Sequence, residues 1–287
     1  MASEYVETFK LGGDLEVQRL GFGTLFVTTG RGFGPPRPEA VELLQEAVRL
    51  GANLIDTADS YGPGSAEDVV RDALYPYSGL VIATKGGFLH STESSWIPDG
   101  RPEHLRKVLE GSLKRLRIDC IDLYQFHTPD PKIPFIESIS VFKEFQQDGK
   151  IRHIGVSNVD LAQLKEACRE VKVVSVQNAY NVLAQKGDDV LEYCESNNIA
   201  FIPWRPLADG RLPRSEVFRQ VAEKHEVTVA QVMLAALLRR SRVILPIPGT
   251  RSIEHLRENA AAAKLSLSNE EISLLWGREF AKGNSAE

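Results

Sequence analysis

Short apolar runs alternate with amphipathic stretches of helical period along most of the chain. Eight of the runs have the length and the side chains of buried strands, at 19–24, 52–57, 80–85, 121–127, 151–158, 173–178, 200–204 and 243–248. The helical stretches follow them, at 39–50, 65–74, 102–116, 135–147, 160–169, 188–197, 215–238 and 253–263. Strands that are joined through helices pair in parallel. The pattern therefore predicts an α/β fold, a closed (β/α)8 barrel of the TIM type.

Two further features refine this barrel. The segment FKLGGDLEV, before the first predicted strand, predicts an N-terminal β-hairpin with Gly12 and Gly13 at its turn. Three long connections follow predicted strands, at 25–38, 86–101 and 205–214. They belong to the carboxyl-terminal face of the barrel, where such barrels keep their active sites.

The competing layout is an open doubly wound sheet. Such a sheet normally carries G-x-G-x-x-G after its first strand, and the nearest match, at 21–26, has Phe26 in place of the third glycine. With 43% apolar residues the chain is able to bury one large core. We therefore expect residues 1–287 to form a single barrel domain.

Charge and cysteine content exclude several partners. A net charge of −5 argues against nucleic acid, because the only dense basic group is Arg239, Arg240 and Arg242, which we expect at the end of a helix. Three cysteines without a C-x-x-C pair suit a reducing cytoplasm. No stretch approaches the roughly 20 apolar residues of a membrane span, and the six histidines lack the spacing of a metal motif. We expect a cytoplasmic monomer or weak homo-oligomer that binds no nucleic acid, membrane or metal.

Polar residues stand near the ends of three successive predicted strands. Asp56 follows ANLI, Lys85 closes LVIATK and His127 closes IDLYQFH, while Tyr61 comes five residues after Asp56. Because parallel strands end at one face, we expect the four side chains to converge there. Each alone has an ordinary explanation, as a turn cap, a loop tyrosine or a hydrogen-bonded core histidine. A buried lysine needs a partner, however, and Asp56 supplies it.

Together the four groups describe a proton-transfer site. A nearby ammonium favours the phenolate, so Lys85 is expected to lower the pKa of Tyr61 from its ordinary value of about 10. His127 is placed to hydrogen-bond a carbonyl oxygen, which suits addition of a proton to that oxygen while hydride reaches the carbon. Two other enzyme classes fail. No tyrosine has lysine four residues later, as short-chain dehydrogenases require, and the serine-hydrolase motif G-x-S-x-G is absent.

Six motifs between about residue 10 and residue 270 resemble the aldo-keto reductase superfamily in order and spacing. They are DTADSYG, VIATKGG, DLYQFH, GKIRHIGVSN, VQNAYN and IPGTRSIEHLRENAAA. The resemblance implies a barrel that binds an extended nicotinamide cofactor without a Rossmann fold. It also implies a catalytic tetrad of Asp56, Tyr61, Lys85 and His127, and an activity, the NADPH-dependent reduction of an aldehyde or ketone.

The resemblance further implies a set of cofactor-binding residues. Asn158 and Gln177 correspond to groups that hydrogen-bond the nicotinamide carboxamide, with strand-end capping as the alternative, and Trp204 to the aromatic residue that stacks on the ring. Arg205 stands where many relatives have serine, which leaves its role open among phosphate, substrate and solvent. The implied set is Gly23, Thr24, Asp56, Ser157, Asn158, Gln177, Trp204, Arg205, Pro206, Leu207, Gly249, Thr250, Arg251, Ser252, His255, Glu258 and Asn259.

The segment after the eighth predicted strand favours NADPH over NADH. Ser252 is expected to cap the following helix, whose N-terminus attracts phosphate, and Arg251 offers a charged fork for a 2′-phosphate. Gly249 and His255 stand where some branches of the family carry lysine and arginine, which leaves Arg251 as the main fixed cation. The alternative is that Arg251 is a solvated loop residue and Ser252 only a cap.

Within the superfamily, the segments FGPP, YGP, DALYPYS and SWIP resemble bacterial reductases grouped with pyridoxal reductase. Aromatic residues in the strand-following loops are expected either to form a wall for a small carbonyl substrate or to pack the loops: Phe26, Phe33, Phe88 and Trp96. The alternative to an enzyme is a cofactor-binding regulatory module like the potassium-channel β subunits, which share this fold. The intact tetrad favours the enzyme.

Overall fold

The computed structural model describes residues 8–28, 34–89 and 96–277. Its first two strands form the predicted antiparallel hairpin, β1 (Thr8–Leu11) and β2 (Leu15–Gln18). Seven strands then pair in parallel and in chain order: β3 (Phe22–Gly23), β4 (Leu54–Asp56), β5 (Val81–Gly86), β6 (Ile121–Phe126), β7 (Ile151–Ser157), β8 (Val173–Gln177) and β9 (Ala200–Phe201).

Among the described residues, a helix follows each strand from β3 to β8, and four α-helices follow β9. Within the described ranges they are α1 (Arg37–Arg49), α2 (Ser65–Leu74), α3 (Pro102–Leu116), α4 (Phe135–Gln147), α5 (Leu161–Glu170), α6 (Asp188–Asn197), α7 (Glu216–Lys224), α8 (Val229–Arg240), α9 (Ile253–Ala261) and α10 (Asn269–Trp276). The predicted α/β barrel architecture is confirmed.

The eighth predicted strand, 243–248, is not a regular strand, but it closes the barrel. Phe201 N–H donates to the Val243 carbonyl and Leu245 N–H donates to the Phe201 carbonyl, both at 2.8 Å. On the other side, Gly21 N–H donates to the Pro246 carbonyl at 2.9 Å. Proline has no N–H to donate, so the segment cannot form a continuous ladder with both neighbours.

The prediction of one helix over 215–238 was wrong, because the chain turns between α7 and α8. Glu226 takes a left-handed φ of 55°, and Thr228 begins α8 with a capping box to Gln231. The last turn of α8 carries Arg239 and Arg240, as predicted. The sequence pattern also missed α10, which begins at a capping box of its own.

The hairpin lies against the amino-terminal ends of the barrel strands. Gly12 turns with φ of 67°, and a Cβ there would lie 2.3 Å from the ring of His153, at the start of β7. Asp14 contacts the same ring, with 2.6 Å between its Oδ1 and Nε2 of His153. Only the carboxyl-terminal face of the barrel therefore remains for the long connections.

Candidate active site

The four residues of the predicted tetrad meet at the carboxyl-terminal ends of β4, β5 and β6. Asp56 is the last residue of β4, and Lys85 lies one residue before the end of β5. His127 follows β6 directly, and Tyr61 lies in the loop between β4 and α2. The expectation that strand ends bring these side chains together is met.

The centre of the group is the ammonium of Lys85, whose side chain is fully buried. Its Nζ donates to Asp56 Oδ1 at 2.6 Å, to the Thr57 carbonyl at 2.7 Å and to Tyr61 Oη at 3.3 Å. An ammonium has three N–H groups, so these acceptors use all of them. The direction of the ammonium is therefore fixed by three protein acceptors rather than by solvent.

A glycine beside Tyr61 allows the loop to take this path. Gly62 has φ of 60°, and a Cβ there would lie 2.3 Å from the Ser65 hydroxyl and 2.7 Å from that of Thr28. Both the backbone conformation and the space require glycine. The turn holds the Tyr61 ring with its centroid 4.9 Å from Lys85 Nζ.

The protonation states differ in part from the expectation. Burial raises the pKa of Tyr61 above its ordinary value, and the opposing charge of Lys85 does not outweigh it. The predicted lowering of the Tyr61 pKa was therefore wrong for the free protein. Burial also disfavours the ammonium of Lys85, but Asp56 and Tyr61 together raise its pKa above the usual value. The site thus holds a phenol beside a charged ammonium.

His127 is neutral. Burial first and the positive charge of Lys85 second place the pKa of His127 well below its ordinary value. Neutral imidazole carries one N–H, and the Ser60 hydroxyl lies 3.4 Å from Nδ1. If Ser60 donates this bond, Nε2 keeps the proton and serves as the donor to a bound oxygen.

Asp56 is also held at its second oxygen, by two side-chain amides. Gln177 donates to Asp56 Oδ2 at 2.8 Å and Gln125 donates to the same atom at 3.2 Å. Sequence reasoning missed Gln125, although the two-residue period of a strand places it on the same side of β6 as His127. Gln177 was expected to contact the cofactor, whereas in this structure its amide nitrogen donates a hydrogen bond to Asp56.

Asn158 and Trp204 contact each other at the mouth of the barrel. The indole N–H of Trp204 donates to Asn158 Oδ1 at 3.0 Å, and Asn158 Nδ2 donates to the His127 carbonyl at 2.9 Å. Arg205, the departure from the family, lies with its guanidinium 4.8 Å from the centroid of the Trp204 ring and 2.8 Å from a carboxylate oxygen of Asp209. One face of this indole is therefore covered by an arginine.

The remaining predicted cofactor residues on the strand ends are mostly buried. Thr24 is fully buried, and its hydroxyl has no hydrogen-bond partner among the described residues. Gly23 has no room for a side chain, because a Cβ would lie 2.7 Å from the Ile247 carbonyl oxygen. Ser157 donates to the Gln177 carbonyl at 2.7 Å. Near Trp204, Pro206 is buried and Leu207 is partly exposed.

The N-terminus of α9 has the predicted form. Ser252 caps the helix by accepting from the His255 N–H at 3.3 Å. Arg251 is exposed, and its side chain forms no ion pair within the described ranges. Thr250 accepts from the Ser252 N–H at 3.1 Å through its hydroxyl. The exposed cation of Arg251 therefore lies next to the capped N-terminus of α9.

Further along α9 the helix borders a cavity. Glu258 is partly exposed, whereas Asn259 is buried to 4% exposure and lines a cavity of about 400 Å³ between α1 and α9. Gly249 directly follows the segment 243–248, which forms the seam where the barrel closes. A Cβ at Gly249 would lie 2.7 Å from the Gly23 carbonyl oxygen and 3.2 Å from the Phe26 ring. The residues that line this cavity include none of the tetrad.

Aromatic rings cover the tetrad. Phe88 packs edge-on against His127 with ring centroids 4.5 Å apart, and Trp96 lies 5.2 Å from Phe88 and 6.1 Å from Tyr61. An antiparallel bridge between Phe88 and Pro98 brings these two rings together. Phe26 borders the seam at Gly249, and Phe33 lies outside the described residues.

Two kinds of site are not found in the described part of the chain. No group of three or more His, Cys, Asp or Glu side chains is arranged to hold a metal ion. Within the same ranges, no helix is both long enough and apolar enough to cross a membrane.

Known proteins resemble this chain over nearly its full length. Pyridoxine 4-dehydrogenase of Escherichia coli K12 is 41% identical over 279 residues, which cover 94% of this chain and 97% of that protein. An uncharacterised oxidoreductase of Schizosaccharomyces pombe is 42% identical over 281 residues, which cover 96% and 92%. The relative from Escherichia coli agrees with the predicted grouping near pyridoxal reductases.

Solved structures share the fold. A thermostable aldo-keto reductase in complex with the inhibitor epalrestat superposes with a TM-score of 0.84 at 34% identity, covering 94% of this chain and 99% of that one. An aldo/keto reductase from Klebsiella pneumoniae in complex with NADP and acetate gives 0.81 at 29% identity, covering 96% and 97%. The family model of aldo/keto reductases matches residues 19–276. The chain therefore belongs to the aldo/keto reductase family.

Proposed function

We propose that the protein reduces an aldehyde or ketone to the alcohol with NADPH, and that Tyr61 supplies the proton. The observation that carries the proposal is the buried Lys85 ammonium, which bridges Asp56 at 2.6 Å and Tyr61 at 3.3 Å. A charged lysine beside a phenol has little structural use, because burying it costs free energy that a well-packed apolar group would not. It stabilises the phenolate that remains after proton donation.

The raised pKa of Tyr61 suits reduction. A donor must hold its proton before the reaction, and burial keeps Tyr61 a phenol at neutral pH. As the proton leaves, negative charge forms on Oη, next to Lys85 Nζ. The attraction between this charge and the Lys85 ammonium arises only as the proton leaves. It therefore lowers the reaction barrier rather than the energy of the resting state. Neutral His127 completes the site as a hydrogen-bond donor to the substrate oxygen.

The residues present fit a nicotinamide cofactor. The orphaned hydroxyl of Thr24 is a buried polar group that a ligand in the barrel mouth would satisfy. Trp204 offers a ring held by Asn158, and Arg251 offers a cation at the N-terminus of α9 for the 2′-phosphate. When bound, the nicotinamide supplies the hydride.

The aromatic rings over the tetrad favour a flat substrate. Phe88 and Trp96 stand within stacking or edge-contact distance of His127 and of each other. We therefore propose aromatic aldehydes as the substrate class. Pyridoxal is the first candidate, since the relative of 41% identity is a pyridoxine 4-dehydrogenase.

The test is oxidation of NADPH, followed by absorbance, with pyridoxal, benzaldehydes, α-dicarbonyls and cyclic ketones as substrates. Steady turnover of at least one carbonyl is expected, and Tyr61→Phe should lower kcat by about 10²-fold or more while still binding NADPH. A Tyr61→Phe variant with wild-type kcat would remove Tyr61 from its role. A wild-type protein that binds NADPH but turns over no carbonyl would match a regulatory module instead.

A further inference from the structure

A row of polar residues crosses the inside of the barrel behind the tetrad. In the parallel register, Lys85 of β5 is the partner of Gln125 on β6, Gln125 is the partner of Gly155 on β7, and Gly155 is the partner of Ser175 on β8. Partners in register point to the same side of a sheet. The row therefore continues from the tetrad through three further strands.

Gln125 is held in this row at both ends of its amide. Its side chain is fully buried, its Nε2 donates to Asp56 Oδ2 at 3.2 Å, and its Oε1 accepts from the Ser175 hydroxyl at 3.4 Å. Gly155 makes the space, because a Cβ there would lie 2.8 Å from Gln125 Cγ and 2.2 Å from Ser175 Oγ. A large apolar residue would fill an ordinary barrel interior at this level.

We propose that Gln125 is a positioning residue for carbonyl reduction, which holds the Asp56 carboxylate so that Lys85 stays directed at Tyr61. This inference rests on the proposed function. An amide donates a hydrogen bond without adding a charge, so Asp56 keeps one negative charge to balance one ammonium. A carboxylate held at both oxygens cannot rotate, and its partner Lys85 cannot follow it away from Tyr61.

Gln125 and Gln177 both donate to Asp56 Oδ2, but their roles differ. The family resemblance implies that Gln177 contacts the nicotinamide carboxamide, and any rotation towards that ligand would take its N–H from Asp56. Gln125 lies one layer further from the barrel mouth, tied to Ser175. It keeps Asp56 Oδ2 satisfied whether or not the mouth of the barrel is occupied.

The experiment compares Gln125→Met with wild type in the NADPH-dependent reduction of one aromatic aldehyde. Methionine keeps the length of the side chain and removes both hydrogen bonds. We expect kcat to fall about tenfold, with the aldehyde KM and the NADPH Kd within about twofold of wild type. Deuterated NADPH should show a larger isotope effect on kcat, because the chemical step becomes slower relative to product release. Gln231→Met, which removes a buried glutamine from the cap of α8, is the matched control and should leave kcat unchanged.

A folded Gln125→Met protein with wild-type kcat would overturn the proposal, as would parallel losses in Kd, KM and kcat. If Gln125→Met does not fold, Ser175→Ala removes only the hydroxyl that holds the amide. That variant should lower kcat about two- to threefold at constant KM, and unchanged kcat would again refute the role of Gln125. Absence of turnover in wild type is a separate result, which would refute the proposed function and this inference with it.

Discussion

Lys85→Met tests whether the buried ion pair is a structural requirement as well as a functional one. The change leaves the carboxylate of Asp56, only 1% exposed, without its cation. Removing one partner of a buried pair costs about 3–5 kcal/mol. Gln125 and Gln177 still donate to Asp56 Oδ2, so we take the lower end, about 3 kcal/mol. At roughly 2 °C per kcal/mol for a chain of this size, the Tm should fall by about 6 °C.

The matched variant is the double change Asp56→Asn with Lys85→Met, which removes the charge that the single change strands. Thermal unfolding followed by circular dichroism should place the Tm of the double variant above that of Lys85→Met, although neither protein should reduce aldehydes. A single variant as stable as wild type, or a double variant no more stable than the single one, would refute the assignment of a stranded charge. Recovery of turnover in the double variant would contradict the role of Lys85 in proton transfer.

Three further predictions concern the proton donor and the cofactor. The reduction rate should be flat from about pH 6 to pH 9, because burial raises the pKa of Tyr61, which stays protonated, and lowers that of His127, which stays neutral; a pH–rate profile with a loss near pH 7 or 8 would contradict both directions. Arg251→Ala should raise KM for NADPH more than tenfold and leave KM for NADH nearly unchanged, since one charge-assisted contact is worth about 1.5–3 kcal/mol. Arg257→Ala, which breaks an ion pair between α9 and Glu46 of α1, is its control and should change neither value. NADPH should quench the fluorescence of Trp204, and quenching of Trp204→Leu as strong as in wild type would move the nicotinamide elsewhere.

Periodicity was sufficient for the barrel because its strands are short, apolar and regularly spaced. Periodicity failed at the two segments where prolines or a helix cap determine the backbone structure. The segment 243–248 has the composition of a strand, yet its prolines cannot complete a ladder. The predicted helix over 215–238 keeps an apolar period through its break, and the signal that marks the break is the cap at Thr228, followed by Gln231.

The tetrad was predictable because strand ends in a parallel barrel meet at one face. Its protonation states were not predictable. The pKa of Tyr61 depends on how far burial outweighs the charge of Lys85, and a sequence does not show how deeply a side chain is buried. The contact of Arg205 with the Trp204 ring was equally hidden, since it depends on a left-handed φ of 55° at a non-glycine residue. Gln125 was visible in the strand period, but its partner Asp56 lies 69 positions away.

The seam of the barrel has a mechanical consequence. β5, β6 and β7 are joined by long ladders, whereas β3 and β9, the strands beside the segment 243–248, each contribute only two residues. Because few backbone hydrogen bonds cross this seam, we expect it to open at a lower free energy than the ladders between β5, β6 and β7. The chain leaves the seam at Gly249 and continues directly into the capped N-terminus of α9. We expect an anion bound at that N-terminus to stabilise the closed seam, and therefore to slow the exchange of the amide hydrogens beside it.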